Sequence, residues 1–185
     1  MFLKNYYPNL SYKYNKIKFK GFSYNSRLIK KNFIFFAIKG NNANGNNYIS
    51  NAISNGAKII ISDKFKTSYK NNILFIHNKN PREILAKFSA NFYKKKPLNI
   101  IAVTGTNGKS SVLNFYYQIL KSCNKKVGTI GTLGIKGWNY KKEILNTTAD
   151  PINLNKVLNK FYKKKINNVI LEASSHGLHQ HRVDN

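Results

Sequence analysis

Residues 104–111, Thr-Gly-Thr-Asn-Gly-Lys-Ser-Ser, combine the residue types that a phosphate group needs. Gly105 and Gly108 let the backbone approach a bound group closely and take φ > 0. Lys109, Ser110 and Ser111 open a run with helical spacing, carried on by Val112, Leu113, Phe115, Tyr116, Ile119 and Leu120. A helix start offers unpaired N–H groups and the positive end of a dipole, so an anion is favoured there. Lys109 is placed to neutralise β- and γ-phosphate charge, and the Ser110 hydroxyl to reach Mg²⁺. The general pattern G-x-x-x-x-G-K-[ST] asks for glycine five residues before Gly108. Val103 stands there, so the loop is a compressed form.

Elements must hold this loop in place. The apolar, β-branched run Asn99–Val103 before it predicts a strand covered on both faces. Strands are also predicted over 32–38, 57–62, 72–77, 126–130 and 168–173, the last with Glu172 at its end. Asn80-Pro-Arg-Glu83 predicts a helix start: a cap, proline at the first helical position and a capping-box carboxylate. Ile84, Leu85, Phe88 and Phe92 line one face of that helix. Further helices are expected over 48–55 and from Pro151, with Ile152, Leu154, Val157, Leu158 and Phe161 on the latter. Residues 131–145 read as a hairpin with glycine bends. Pro97 after three lysines marks a boundary, which divides the chain into residues 1–96 and 97–185. Helices alternating with strands predict an α/β fold with parallel sheets and ligands at the carboxyl ends of the strands. The phosphate loop, Asn146–Asp150 and Glu172–Arg182 all follow strands, so they are expected to converge on one crevice.

Composition bounds the setting. The 185 residues carry 32 Lys+Arg against 6 Asp+Glu, a formal net charge of +26. Such a charge attracts polyphosphates. The lysines are scattered, however, and Asn, Ile, Phe and Tyr are also in surplus, as drift toward A/T-rich codons produces. Nucleic acid is therefore expected only as a nonspecific contact. Cys123 is the only cysteine, which excludes an intrachain disulfide and fits a reducing, cytoplasmic compartment. It is expected to be buried or half-buried. No stretch has the apolar length of a membrane span. His176, His179 and His181 match no standard zinc spacing. Trp138 and the tyrosines are expected to pack in the core or hairpin.

Taken together, four segments resemble the Mur ligase family, in its tripeptide-synthetase branch: Thr104–Ser111, Gly128-Thr-Ile-Gly-Thr132, Asn146-Thr-Thr148, and the run Glu172-Ala-Ser-Ser-His-Gly-Leu-His-Gln-His-Arg-Val183. The phosphate loop alone is shared with folylpolyglutamate synthetases. Tyr24-Asn-Ser-Arg27 and Gly40-Asn-Asn-Ala-Asn-Gly45 resemble that family's uridine-nucleotide segments, with Asn25 and Asn44 where the family has Asp. The resemblance covers about residues 21–185. It implies a small N-terminal UDP-binding α/β domain, followed by the first part of a phosphate-loop, parallel-sheet ATPase domain. It also implies an ATP- and Mg²⁺-dependent ligase of peptidoglycan precursor synthesis. Such an enzyme phosphorylates UDP-MurNAc-L-Ala-D-Glu on its D-glutamyl carboxylate, and a diamino acid then attacks the acyl phosphate.

The resemblance also implies residue roles. Gly105, Thr106, Asn107, Gly108, Lys109, Ser110 and Ser111 would hold the ATP phosphates, with Lys109 acting at the reacting phosphate. Ser110 and Glu172 would ligate Mg²⁺. Tyr24, Ser26, Asn41, Asn42 and Ala43 would contact the UDP end, although Asn41 and Asn42 equally suit a plain turn. Asn146, Thr147, Thr148, Ser174, Gln180 and Arg182 would hold the muramoyl-dipeptide. The family's carbamylated lysine, the rest of its ATPase sheet and its C-terminal domain have no counterpart in these residues. Three readings follow: a shortened or split ligase with the missing parts on a second polypeptide, a remnant that binds ATP or UDP-muramoyl substrate without turnover, and a basic nucleic-acid binder.

Overall fold

The computed structural model describes residues 1–7, 10–14, 16–40, 43–137, 140–142 and 149–183. The chain divides into two compact units, Met1–Phe88 and Ser89–Asn185.

The first unit is built on five strands: β1 (Gly21–Ser23), β2 (Phe33–Phe36), β3 (Ala57–Ser62), β4 (Ser68–Lys70) and β5 (Ile73–His77), in the order β1-β2-β3-β5-β4. All neighbours are parallel except β4, which runs antiparallel to β5. Ile34, Phe35, Phe36, Ile59, Ile60, Ile61 and Leu74 are wholly buried, which explains why β2 and β3 read as unbroken apolar runs. Helix α1 (Ile49–Ser54) packs on β3, preceded by a 3₁₀ turn at Gly45–Tyr48. Helix α2 (Pro81–Phe92) starts as expected, with Glu83 N–H donating to Asn80 Oδ1 (3.2 Å). Phe19, Phe22 and Phe36 surround Phe88 with ring centroids 5.0–5.6 Å apart, an edge-to-face and tilted cluster. The short strands β1 and β4 were not predicted, because three residues carry too little pattern to register.

The second unit holds β6 (Asn99–Val103), α3 (Lys109–Ser122), β7 (Val127–Gly131), β8 (Gly134–Gly137), β9 (Tyr140–Lys142), α4 (Pro151–Lys163), β10 (Asn168–Glu172) and α5 (Ser175–His179). Its sheet order is β6-β10-β7-β8-β9. β6, β10 and β7 are parallel, and β7, β8 and β9 run antiparallel in turn. Asp150 caps α4 by accepting from Ile152 N–H (3.0 Å) and Asn153 N–H (3.1 Å), with Pro151 in the first turn. Leu154, Val157, Leu158 and Phe161 of α4 then join Ile130, Ile135, Val169 and Leu171 in one core.

One expectation fails. β6 is not covered on both faces: Ile100 and Ile101 are 38% and 42% exposed. Among the described residues β6 is an edge strand, bonded only to β10, and α3 packs mainly on β7 and β10. On α3, Val112, Phe115 and Ile119 are exposed too. Cys123, expected to be buried, is also exposed. It stands just past the end of α3, beyond the reach of the core.

Phe161 shows how tightly the helix-to-sheet contact is fitted. A Cβ on Gly128 of β7 would lie 2.6 Å from Phe161 Cε2, and one on Gly137 of β8 would lie 2.7 Å from Cε1. Two glycines on neighbouring strands thus form the seat for one ring. Urea unfolding of Phe161→Ala should show a loss of about 3–5 kcal/mol. Gly128→Ala should destabilise as well, by about 1–3 kcal/mol, because the ring has no free space to move into. A Gly128→Ala chain as stable as the parent would contradict this packing.

Candidate functional site

The loop between β6 and α3 has the backbone that its glycines foretold. Gly105 sits at φ +141° and Gly108, the N-cap of α3, at φ +80°. A Cβ on Gly108 would meet nothing within 4 Å, so backbone conformation rather than space calls for glycine there. Lys109 folds back over the loop, donating from Nζ to the carbonyls of Gly105 (2.5 Å) and Thr106 (3.1 Å). Residues 104–108 are exposed, and the first N–H groups of α3 lack intrahelical partners. The loop therefore offers an anion several backbone donors and a lysine held beside them.

Glu172 stands at the end of β10, beside β6, and is only 2% exposed. A buried carboxylate is costly unless donors meet it. Here Ser110 Oγ donates to Oε1 (2.7 Å), while Thr132 donates to Oε2 from both its backbone N–H (3.1 Å) and its hydroxyl (2.6 Å). The carboxylate joins the phosphate loop to the turn between β7 and β8. Ser110 Oγ and Glu172 Oε1 are hard oxygen donors on the same side of that loop. They fit a hard divalent cation whose remaining ligands are phosphate oxygens and water. Among the described residues no group of three or more His, Cys, Asp or Glu could hold a metal ion.

After Glu172 the chain turns into α5, a short helix that was not foreseen. Ser174 caps it, accepting from Gly177 N–H (3.1 Å). Gln180 is buried, and its Oε1 accepts from Arg182 Nε (3.0 Å) and Nη2 (2.7 Å). With the oxygen so used, the Gln180 amide nitrogen donates to His176 Nε2 (2.7 Å), and that imidazole nitrogen is the acceptor. The phosphate loop, the Thr132 turn and the segment from Ser174 to Arg182 thus follow the carboxyl ends of three adjacent parallel strands. Asn146, Thr147 and Thr148, like Trp138, lie outside the described residues.

The first unit repeats this arrangement with different residues. Tyr24 and Ser26 follow β1, and Ala43 follows β2, so all three lie at the carboxyl edge of neighbouring parallel strands. Tyr24 and Ala43 are exposed and Ser26 is buried. Asn41 and Asn42 lie outside the described residues. Asn25 caps the 3₁₀ turn at Ser26–Leu28, accepting from Arg27 N–H (3.0 Å). Asn44 caps the turn at Gly45–Tyr48, accepting from Asn46 N–H (3.1 Å). Gly45 lies against the backbone: a Cβ there would come 2.5 Å from Ile38 N. Asparagine caps as well as aspartate, so the two positions where an acid was expected keep their local geometry.

Sequence reasoning gave no role to Thr132, Gly131 or His176. The only signal for the first two was their place in the glycine-rich segment 128–132. For His176 it was the i, i+4 spacing to Gln180.

Residues 18–93 match the Mur ligase family, catalytic domain, and residues 103–185 match the Mur ligase middle domain. A UDP-N-acetylmuramoyl-L-alanyl-D-glutamate–2,6-diaminopimelate ligase of Wigglesworthia glossinidia brevipalpis is 40% identical over 97% of this chain and 38% of its own length. A second ligase of that name, from Clostridium acetobutylicum, is 37% identical over 100% of this chain and 40% of its own length. The solved structure of a ligase with the same name superposes with a TM-score of 0.81 at 26% identity, covering 100% of this chain and 38% of that one. The fold also matches MurF ligase from Thermotoga maritima in complex with ADP, with a TM-score of 0.56 at 22% identity over 84% of this chain and 32% of that one. The chain thus spans about two fifths of the length of the curated relatives it matches. With both of its units matched in order along the sequence, the chain belongs to the Mur ligase family.

Proposed function

We propose that this chain supplies the nucleotide- and substrate-holding parts of an ATP-dependent amide ligase of peptidoglycan precursor synthesis. The observation that carries the reading is the Glu172–Ser110 hydrogen bond, which fixes a buried carboxylate against the first turn of the phosphate-loop helix. In this reading residues 1–96 bind the UDP end of UDP-MurNAc-L-Ala-D-Glu, and residues 97–185 begin the ATP-binding domain. The γ-phosphoryl group passes to the D-glutamyl carboxylate, and an amino group of the diamino acid displaces phosphate to form the amide. The names of the relatives point to 2,6-diaminopimelate as that diamino acid.

Each residue has a physical task. The N–H groups from Gly105 to Ser111 cradle the phosphates, and Lys109 exchanges its two carbonyl partners for phosphate oxygens. Ser110 and Glu172 would hold Mg²⁺, which when bound would neutralise phosphate charge. Tyr24, Ser26, Asn41, Asn42 and Ala43 face the UDP moiety. Asn146, Thr147, Thr148, Ser174, Gln180 and Arg182 face the muramoyl-dipeptide. The Arg182 guanidinium suits a carboxylate or phosphate, because it can form two parallel bonds. The catalysis asked of these residues is positioning and charge neutralisation.

Further ligase polypeptide completes the site in this reading, whether as part of the same chain or of a second one. The exposed apolar residues just before β6 and on α3 support this: Leu98 (81%), Phe115 (61%) and Ile119 (61%) are costly to leave in water. A cytoplasmic setting belongs to the reading as well. Among the described residues no helix is long and apolar enough to cross a membrane.

Two outcomes test the proposal. Titration of the chain with Mg²⁺ and ATP should give saturable binding. Lys109→Ala should weaken it about 10- to 100-fold, the loss of a charge-assisted contact. Equal affinity in the variant would count against the site. Separately, the chain alone should release no ADP when mixed with UDP-MurNAc-L-Ala-D-Glu, diaminopimelate and ATP. Adding a polypeptide that carries the remaining ligase domains should restore amide formation, and a candidate partner that restores nothing would speak against completion in trans.

A further inference from the structure

We propose that Thr132 is a positioning residue for the cation site: its hydroxyl fixes the Glu172 carboxylate so that Oε1 stays beside Ser110. The inference rests on the reading of the phosphate loop as a Mg²⁺–ATP site and adds to it the group that orients the metal's carboxylate.

Four observations carry it. Both donors of Thr132 meet the same oxygen, Oε2, at 3.1 Å from the N–H and 2.6 Å from the hydroxyl. The other oxygen, Oε1, is the one that meets Ser110 Oγ at 2.7 Å. The carboxylate is therefore gripped on one side and presented on the other. Gly131, next to Thr132, leaves room for this: a Cβ there would lie 2.6 Å from Glu172 Cδ, so any side chain at 131 would push the carboxylate off its place. Finally, Thr132 itself is exposed and lies in a two-residue turn outside both strands. Its packing contributes little to the core, yet its hydroxyl is aimed inward at a buried charge.

A carboxylate at a strand end has free rotation about its side-chain bonds unless something holds it. A metal that draws one oxygen from Glu172 and one from Ser110 needs both at a fixed separation, and loosened ligands lower cation affinity even when every ligand is present. Removing the Thr132 hydroxyl takes away the shorter of the two Thr132 contacts on Oε2 and keeps the longer N–H contact. The carboxylate then loses the 2.6 Å hydroxyl hydrogen bond and part of its orientation.

The experiment compares Thr132→Val with Thr132→Ser in the full 185-residue chain. ATP affinity is measured with Mg²⁺ and with EDTA, alongside thermal unfolding. Thr132→Val is expected to weaken Mg²⁺-dependent ATP binding about tenfold. Binding in EDTA, which rests on Lys109 and the loop N–H groups, should change less than about twofold. Thr132→Ser keeps the hydroxyl and should restore the parent's Mg²⁺ response. Thr132→Val with the parent's Mg²⁺ dependence would overturn the inference and leave the phosphate site standing. Equal losses with and without Mg²⁺, together with a lowered unfolding temperature in both variants, would reduce Thr132 to a structural role and overturn it too. A parent chain that binds no ATP under either condition would overturn the phosphate-site reading, and this inference with it.

Discussion

One buried negative charge governs the carboxyl edge of the second sheet. Glu172 closes β10 inside the protein, where a carboxylate without partners would be untenable. Among the described residues, donors reach it from places far apart in sequence: Ser110 at the start of α3 and Thr132 after β7. Satisfying that charge obliges β6, β10 and β7 to end at the same level, and they do so in parallel register. The phosphate loop is thereby held by more than its own glycines. Gly131 follows from the same constraint, since it leaves room for the carboxylate, while Gly128 and Gly137 answer a separate one, the seat of the Phe161 ring.

The two units solve the same problem twice. In each, a parallel sheet sends its strand ends to one edge, and the loops there start with a side-chain cap: Asn25, Asn44 and Asp150. A cap of this kind fixes the first turn after a loop and so fixes where the preceding residues point. Some of the candidate residues sit on short pieces, such as Ser26 on a three-residue 3₁₀ turn, while Lys109 and Ser110 open the long helix α3 and Glu172 ends β10. The strands and the long helices α2, α3 and α4 supply the frame, and the candidate residues cluster where those elements meet the loops at the carboxyl edge.

Much of this was legible in the amino-acid pattern. The strand–loop–helix around Lys109, the capped helix at Pro81, the start of α4 at Pro151 and the β10 run ending on Glu172 all carry local signals that the fold keeps. What escaped is tertiary. The apolarity of Ile100 and Ile101 states what a strand would bury, not what lies over it, and β6 is half open. Strands of three residues, β1 and β4, are defined by their neighbours and not by their own period. Thr132 looked like one residue of a glycine-rich segment because its partner is forty positions away. Likewise the exposure of Cys123 depends on where α3 stops, which composition cannot tell.

The caps have a consequence for how this chain tolerates its lopsided charge. An amide and a carboxylate show a backbone N–H the same kind of acceptor oxygen, so Asn25 and Asn44 hold their turns with no charge at all. Exchange between acid and amide is silent at such places. Position 172 is different. Both of its oxygens accept hydrogen bonds, Oε1 from a hydroxyl and Oε2 from a hydroxyl and an N–H. An amide there could accept from Thr132 with its oxygen and turn its NH₂ to Ser110, whose hydroxyl would then accept instead of donate. The molecule can trade acids for amides silently wherever a single acceptor is enough, whereas at position 172 the trade would reverse the Ser110 hydrogen bond and remove the buried negative charge.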